Sequence, residues 1–390
     1  MVKSMSALTH RSTDNRLRQI ALARQAVLYD GRGMPESTSQ GWIERSWQRA
    51  LAGGKKPDQQ VNFDVIAPNA MRRVIEANHH LVSTARPVLE SLSQAIASTR
   101  YFAILTDAQG VVIDAHGSID RTDRRADLIT RIGTDLSERR LATTAISAAL
   151  TELQPIWLHR GEHFFDVNSV YSCAGAPLFG HDGACIGMLD LTGIEAVERP
   201  ELKHLVAQSA RSIENALTLG HLHAHSDLLI RLNWPGRALG DETDGLVCLN
   251  TDGYVTAANQ MARLMVPQLA PQLTPRLLPQ QPLHASDLFA MSFETLFDAA
   301  RKQSSKAALE VPLWTGLRLH ALPVMGGQVN IKPDAQQGAP AAPPPLRDIE
   351  TALIRKAVND ARGNVMQAAK TLGISRATVY RRLGASLKRH

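Results

Sequence analysis

At 390 residues, with 44% hydrophobic and 21% charged residues, the chain has a globular composition that excludes an intrinsically disordered one, and its length accommodates two to four domains. Its three cysteines, Cys173, Cys185 and Cys248, contain no C-x-x-C pair, which argues against a disulfide framework and a Cys-rich zinc site and fits a reducing compartment. The net charge of +6 is local: Arg362, Lys370, Arg376, Arg381, Arg382, Lys388 and Arg389 follow the last acid, Asp360, and a confined basic field points to a polyanionic partner.

No apolar run approaches the roughly 18 residues of a membrane span, and the N-terminus has no apolar h-region. A cytoplasmic protein with no membrane partner is the expectation. Helical spacing predicts helices over 15–28, where Arg24 interrupts the stripe, over 39–51 and over 69–98, where Pro87 marks a break or kink. The period then shortens to strand-like runs at 101–105 and 111–113, joined by the turn Asp107-Ala-Gln-Gly110. A helix is predicted over 134–153, strands over 155–159, 172–178 and 184–191, and a strong amphipathic helix over 201–219. A second α/β unit starts near Gly245 with a strand, the turn Asn250-Thr-Asp-Gly253 and a return strand. The Pro-rich stretch 332–345 reads as a linker to a separate head.

In that head, helices are predicted over 346–361, 365–372 and 376–383, with Asn364 and Ser375 as N-caps and Gly373 in the turn. Two short helices joined in this way form a helix-turn-helix, whose second member fits the major groove. Candidate DNA-binding residues are Asn364, Ser375, Arg376, Thr378, Tyr380, Arg381 and Arg382. Arginines offer bidentate donors to guanine, and hydroxyls serve phosphates or bases. The segment closely resembles the Fis-type helix-turn-helix through Gly363-Asn364, Ala368-Ala369, Leu372-Gly373-Ile374-Ser375-Arg376, Thr378, Tyr380-Arg381 and Leu383. The resemblance implies a homodimer on inverted-repeat double-stranded DNA.

Three further segments resemble the acetoin-catabolism-regulator type of activator: Ile43-Glu-Arg-Ser46-Trp47-Gln-Arg49, Gly161-Glu162-His163-Phe164, and Ser172 to Pro177 together with Ile186 to Gly193. That resemblance implies a multidomain α+β chain with an N-terminal helical region at 1–85, a GAF-like sensory domain at 86–220, a connector helix at 221–240 and a PAS-like domain at 241–325. The linker at 326–345 and the all-α helix-turn-helix at 346–390 complete it. Such activators carry a central AAA+ ATPase, but the chain holds no G-x-x-x-x-G-K-[ST] phosphate loop; its nearest approach, Gly53-Gly54-Lys55-Lys56, lacks the spacing and the hydroxyl. The expectation is therefore direct action at promoters without ATP hydrolysis, with RNA polymerase as a further partner, and no cofactor.

A GAF domain cups a small molecule, and the candidate lining residues are Trp157, His159, His163, Phe164, Phe165, Tyr171 and Ser172. Aromatics supply a floor, and His, Tyr and Ser orient a polar group, so the expected effector is a small carboxylate or a hydroxylated metabolite. Arg139 and Arg140 could pair with an acidic effector, against the commoner fate of a solvated surface. His221 and His225 share a helix face at a metal-compatible spacing, but no third ligand is evident. Three function classes follow: the ligand-responsive regulator, which is the leading one; a GAF-based enzyme or a redox sensor using Cys173; and an architectural nucleoid-type DNA-binding protein. The enzyme would need a paired thiol or a metal–carboxylate constellation, and the sequence offers neither.

Overall fold

The computed structural model describes residues 15–33, 41–270, 282–302, 308–329 and Met366. Met1–Ile331 forms one compact unit and Lys332–His390 a second. Of the second unit only Met366 is described, helical and exposed. The head's helices and its candidate DNA contacts, Asn364, Ser375, Arg376, Thr378, Tyr380, Arg381 and Arg382, lie outside the described residues, as does the Pro-rich linker.

The first stripe forms helix α1 (15–24), which widens into a π-turn at Gln25–Tyr29. Helix α2, Gly41–Ala52, buries Ile43, Ser46, Trp47 and Ala50. Helix α3, Pro68–Ile96, runs unbroken through Pro87. An internal proline costs a helix about 3 kcal/mol. Here Pro87 stands exposed, while Leu81 and Ala85 before it and Leu89, Leu92 and Ile96 after it are buried, so burial holds both halves in line.

Strands β1 (Tyr101–Asp107) and β2 (Val112–Gly117) form the expected hairpin. The helix expected over 134–153 is instead two short helices, α5 (Glu138–Leu141) and α6 (Ala145–Glu152), preceded by α4 (Arg124–Ile129), which helical spacing alone did not indicate. Two local events break the run. Ala142 adopts φ +51°, and Thr144 starts α6 afresh through a capping box in which its side chain accepts from Ser147 N while Ser147 Oγ accepts from Thr144 N.

Strands β3 (Ile156–His159), β4 (Tyr171–Phe179) and β5 (Cys185–Ile194) complete an antiparallel sheet of order β2-β1-β5-β4-β3. Alternation splits its side chains between two cores. Tyr101, Ala103, Leu105, Ala174, Leu189 and Leu191 face α3 and helix α7 (Leu202–His225). Phe102, Ile104, Tyr171, Cys173 and Met188 face α1, α2 and α4–α6.

The helix expected over 221–240 is only the last turn of α7. Ser226 turns extended (φ −144°, ψ 154°), and Leu228–Asn233 forms strand β6, because its β-branched and leucine-rich run is buried on both faces of a second sheet. That sheet adds β7 (Gly245–Leu249), β8 (Val255–Ala258), β9 (Leu309–Pro312) and β10 (Arg318–Met325) in the order β8-β7-β6-β10-β9. One face packs on α8 (Gln260–Met265), α9 (Ala285–Leu288) and α10 (Phe293–Arg301). On the other face Leu229, Leu246, Cys248 and Ala257 cluster with Leu222 of α7.

Helix α7 therefore serves both sheets, and a polar joint reinforces it. The β4–β5 turn presents His181 O to Ala258 N (2.9 Å) and Arg263 Nη2 (2.7 Å). Asn259 Nδ2 donates to Asn215 Oδ1 of α7 (2.7 Å).

Candidate functional site

On the α4–α6 face of the first sheet the chain forms a partly open cavity of about 40 Å³. Its hydrocarbon wall comes from Phe63, Ile104, Ile129, Leu136, Leu141 and Ile146. The polar residues at its edge are Thr144, His163, Asn168, Tyr171, Cys173, Asp190 and Thr192. No arginine or lysine is among the lining residues.

Local structure brings these residues to the cavity, whose exposed surface is nearly all hydrocarbon. Asp190 and Thr192 of β5, and Tyr171 and Cys173 of β4, share the inward face by alternation. Thr192 Oγ1 hydrogen-bonds Asp190 Oδ2 and lies 3.4 Å from Cys173 Sγ. Asp190 is wholly buried, and burial pushes its carboxyl up to about 7. Its other oxygen, Oδ1, has no hydrogen-bond partner among the described residues.

His163 sits on the β3–β4 loop. Its Nδ1 lies 2.9 Å from Arg160 O, so Nδ1 donates and Nε2 keeps its lone pair; Nε2 has no partner among the described residues. Burial pulls this imidazole down to about 4 and keeps it neutral. Asn168 Oδ1, buried on the same loop, is likewise unpartnered.

The loop is fixed from behind by α1 and α2. Arg24 donates from Nη1 to Gly161 O (2.8 Å) and His163 O, and from Nη2 to Phe164 O (3.0 Å) and Asp166. Trp47 Nε1 donates to Glu162 O (3.0 Å), and the Arg24 guanidinium lies over the Trp47 ring. Glu162 Oε2 accepts from His159 N (2.7 Å). Burial pushes the Glu162 carboxyl up to about 7, outweighing the pull of its partner Arg16.

Of the seven nominated lining residues, His163 and Tyr171 border the cavity. Phe164 and Phe165 are buried in the same core but not at the cavity. Trp157, His159 and Ser172 fall on the opposite face, where Ser172 Oγ meets His159 Nδ1 at 2.8 Å and the two ring systems of Trp157 and His159 stack. Burial pulls His159 down to about 4. Asn168, Asp190 and Thr192 were not nominated, although Asp190 and Thr192 stand within the Ile186–Gly193 segment quoted for the resemblance.

Arg139 and Arg140 are exposed, and Arg140 pairs with Asp64 and Asp135. His221 and His225 do meet on α7, with His181 stacked on His221 at 4.2 Å, yet no group of His, Cys, Asp or Glu suited to a metal occurs among the described residues. Cys173 is buried, and burial raises its thiol well above the ordinary range, which opposes the thiolate that a redox sensor needs. Among the described residues no helix is long and apolar enough to cross a membrane.

The pocket lies between the helices and one face of a five-stranded antiparallel sheet. Residues 18–215 match the family described as MimR, N-terminal domain, and the chain belongs to that family. Residues 345–385 match the bacterial regulatory protein, Fis family. The chain is 29% identical over 265 residues to the acetoin catabolism regulatory protein of Cupriavidus necator, covering 66% of this chain and 37% of that protein. It is 24% identical over 227 residues to the acetoin dehydrogenase operon transcriptional activator AcoR of Bacillus subtilis (58% and 36%). It is 27% identical over 198 residues to the propane 2-monooxygenase operon transcriptional activator MimR of Mycolicibacterium smegmatis (50% and 32%). The chain thus spans about a third of the length of these relatives. All three are named as regulators or transcriptional activators.

Proposed function

We propose that the chain is a ligand-responsive transcriptional regulator: a small effector held in the first sheet's cavity alters promoter binding by the helix-turn-helix head. The single observation carrying this reading is the joining, in one chain, of a MimR-type N-terminal domain with a small cavity and a Fis-type segment. Two of the relatives are named for acetoin metabolism and one for a propane 2-monooxygenase operon. By analogy the regulated genes serve the breakdown of a small carbon compound. The first domain (86–220) is of GAF type, and the second sheet, with its boundary moved upstream to β6, is PAS-like. The head docks as part of a homodimer on an inverted-repeat operator, in the cytoplasm. Residues 216–344 separate the two family matches and hold no phosphate loop, which supports action without ATP hydrolysis, by occlusion or by touching RNA polymerase.

A mobility-shift titration with the promoter of the chain's own operon tests the reading. Arg376→Ala and Arg381→Ala should each weaken binding by about 1–3 kcal/mol if they read bases. Wild-type affinity should fall steeply with salt as counterions are released from phosphates. A chain ending at Pro345 that occupies the promoter as well as the full chain does would refute it.

A further inference from the structure

We propose that the first sheet's cavity receives a small apolar molecule, of the hydrocarbon or halocarbon class, held by shape and dispersion rather than by hydrogen bonds. The inference rests on the sensory reading above and names the class of its effector.

The wall is built by separate elements that converge with their hydrocarbon. Ile104 comes from β1, Ile129 from α4, Leu141 from α5 and Ile146 from α6, and the exposed surface they enclose is nearly all hydrocarbon. The polar residues at the edge do not open onto the space. Asp190 Oδ1, His163 Nε2 and Asn168 Oδ1 have no exposed surface. Asp190 Oδ2 and Thr192 Oγ1 are hydrogen-bonded to each other, and Thr144 Oγ1 is occupied in capping α6, where it accepts from Ser147 N. No arginine or lysine is among the lining residues.

That surface decides among ligand classes. A polar group placed here leaves its hydrogen bonds with water and gains none in return. A carboxylate or an ammonium ion also sheds the hydration of its charge against hydrocarbon. The carboxylate and hydroxylated effectors expected from the sequence both carry groups for which the wall offers no partner. An apolar molecule has no such loss. It leaves water that solvates it poorly and gains dispersion contacts with the wall. Water competes weakly for the same space, because a buried water needs two to four polar partners.

Size sets the other limit. One water needs a cavity of about 10–15 Å³, and an apolar cavity of about 150 Å³ takes benzene. At about 40 Å³ this cavity lies between the two and suits roughly two to four heavy atoms. It is partly open, which gives a molecule of that size a way in.

The test is methyl carbon–proton NMR of the full chain, labelled at isoleucine and leucine. It is titrated with cyclopropane and dichloromethane and, separately, with ethanediol and acetate, which are of like size. The apolar pair should shift the methyls of Ile104, Ile129, Leu141 and Ile146, with dissociation constants at least about tenfold below those of ethanediol and acetate. Ala145→Leu, which fills the space, should lose about tenfold or more of the apolar pair's affinity. Ile129→Ala, which widens it, should bind cyclopentane about tenfold more tightly than the wild type does. Either variant suffices if the other fails to fold, as read by circular dichroism. Affinities unchanged in both would put the probes elsewhere and overturn the proposal. Ethanediol or acetate binding as tightly as the apolar pair overturns it too, and leaves the sensory reading standing. If none of the four probes shifts these methyls, the proposal falls and the cavity drops out of the sensory reading. Each apolar probe is then added to the promoter titration above. Binding in the cavity with no change in promoter affinity supports the apolar site and sinks the sensory reading instead.

Discussion

Asp190 sets a pH dependence on stability. Its folded carboxyl titrates near 7, against about 4 when unfolded. Between those values the folded chain keeps a proton that the unfolded chain has released, so stability falls as pH rises from about 4 to about 7, by at most about 1.4 kcal/mol per pH unit for one proton. Glu162 and Glu214, also pushed up to about 7 by burial, act in the same direction. His163 and His159 act oppositely: they stay neutral when folded down to about 4, so stability falls as pH drops below about 6.5. Thermal midpoints measured from pH 5 to 8 should therefore decline toward pH 7 less steeply in Asp190→Asn than in the wild type. Parallel profiles would mean that the carboxyl is not held protonated. Arg24 gives a second prediction at this scale. Arg24→Met leaves the carbonyls of Gly161, His163 and Phe164 without their donor and should cost about 2–4 kcal/mol, read by denaturant titration. The sequence marked Arg24 only as a flaw in an apolar stripe, because helical periodicity is blind to a carbonyl-lined loop arriving from 137 residues away.

At the scale of elements, the site was legible where its residues formed a contiguous motif and illegible where the fold assembled it. Nominating neighbours from 157 to 172 ignored the strand's period of two, which sends Trp157 and His159 to one face and Ile156 and Leu158 to the other. Applying that alternation to β5 would have put Asp190 and Thr192 on the same side as Cys173. Asn168 and Phe63 had no periodic signal, since one sits in a single 3-10 turn and the other in an irregular segment. The predicted helix over 134–153 failed for a related reason: the positive φ of Ala142 and the Thr144–Ser147 exchange of hydrogen bonds, which mark the fresh start, have no signature in helical periodicity. Thr144→Ala should therefore lower stability by about 1 kcal/mol in denaturant titrations, the usual effect of losing an N-cap. Gly187 sets the closeness of β1 and β5. A Cβ there would stand 2.4 Å from Thr106 O, a backbone atom that moves only if the strands part. Gly187→Ala should cost about 1–3 kcal/mol by the same measurement, and a neutral result would show that the two strands separate easily.

At the scale of the whole molecule, two connections join the cavity's sheet to the second sheet, and under the proposed function they are the routes by which a signal would pass. One is α7, which buries Val206 and Ile213 against the first sheet and Leu222 against the second. The other is the β4–β5 turn, whose His181 carbonyl is held by Ala258 N and Arg263. The strand leading into that turn is β4, which also carries Tyr171 and Cys173 at the cavity, so a shift of β4 on ligand binding would reach the joint directly. Glu214 tightens the arrangement by accepting from Phe179 N at the end of β4. Coupling of this kind requires two states that each site biases, and a docked turn is an element that can dock or release. Removing the joint should then separate binding from response. In Arg263→Ala combined with Asn215→Ala, the effector should bind with nearly unchanged affinity, because neither residue touches the cavity. Its effect on promoter binding should disappear. Calorimetric unfolding should also change from one transition toward two, as the sheets lose the side-chain bonds of their polar joint and keep α7 and the Ala258 N–His181 O bond in common. A double variant that unfolds in one transition and still responds fully to effector would show that the side-chain bonds of the joint do not carry the coupling.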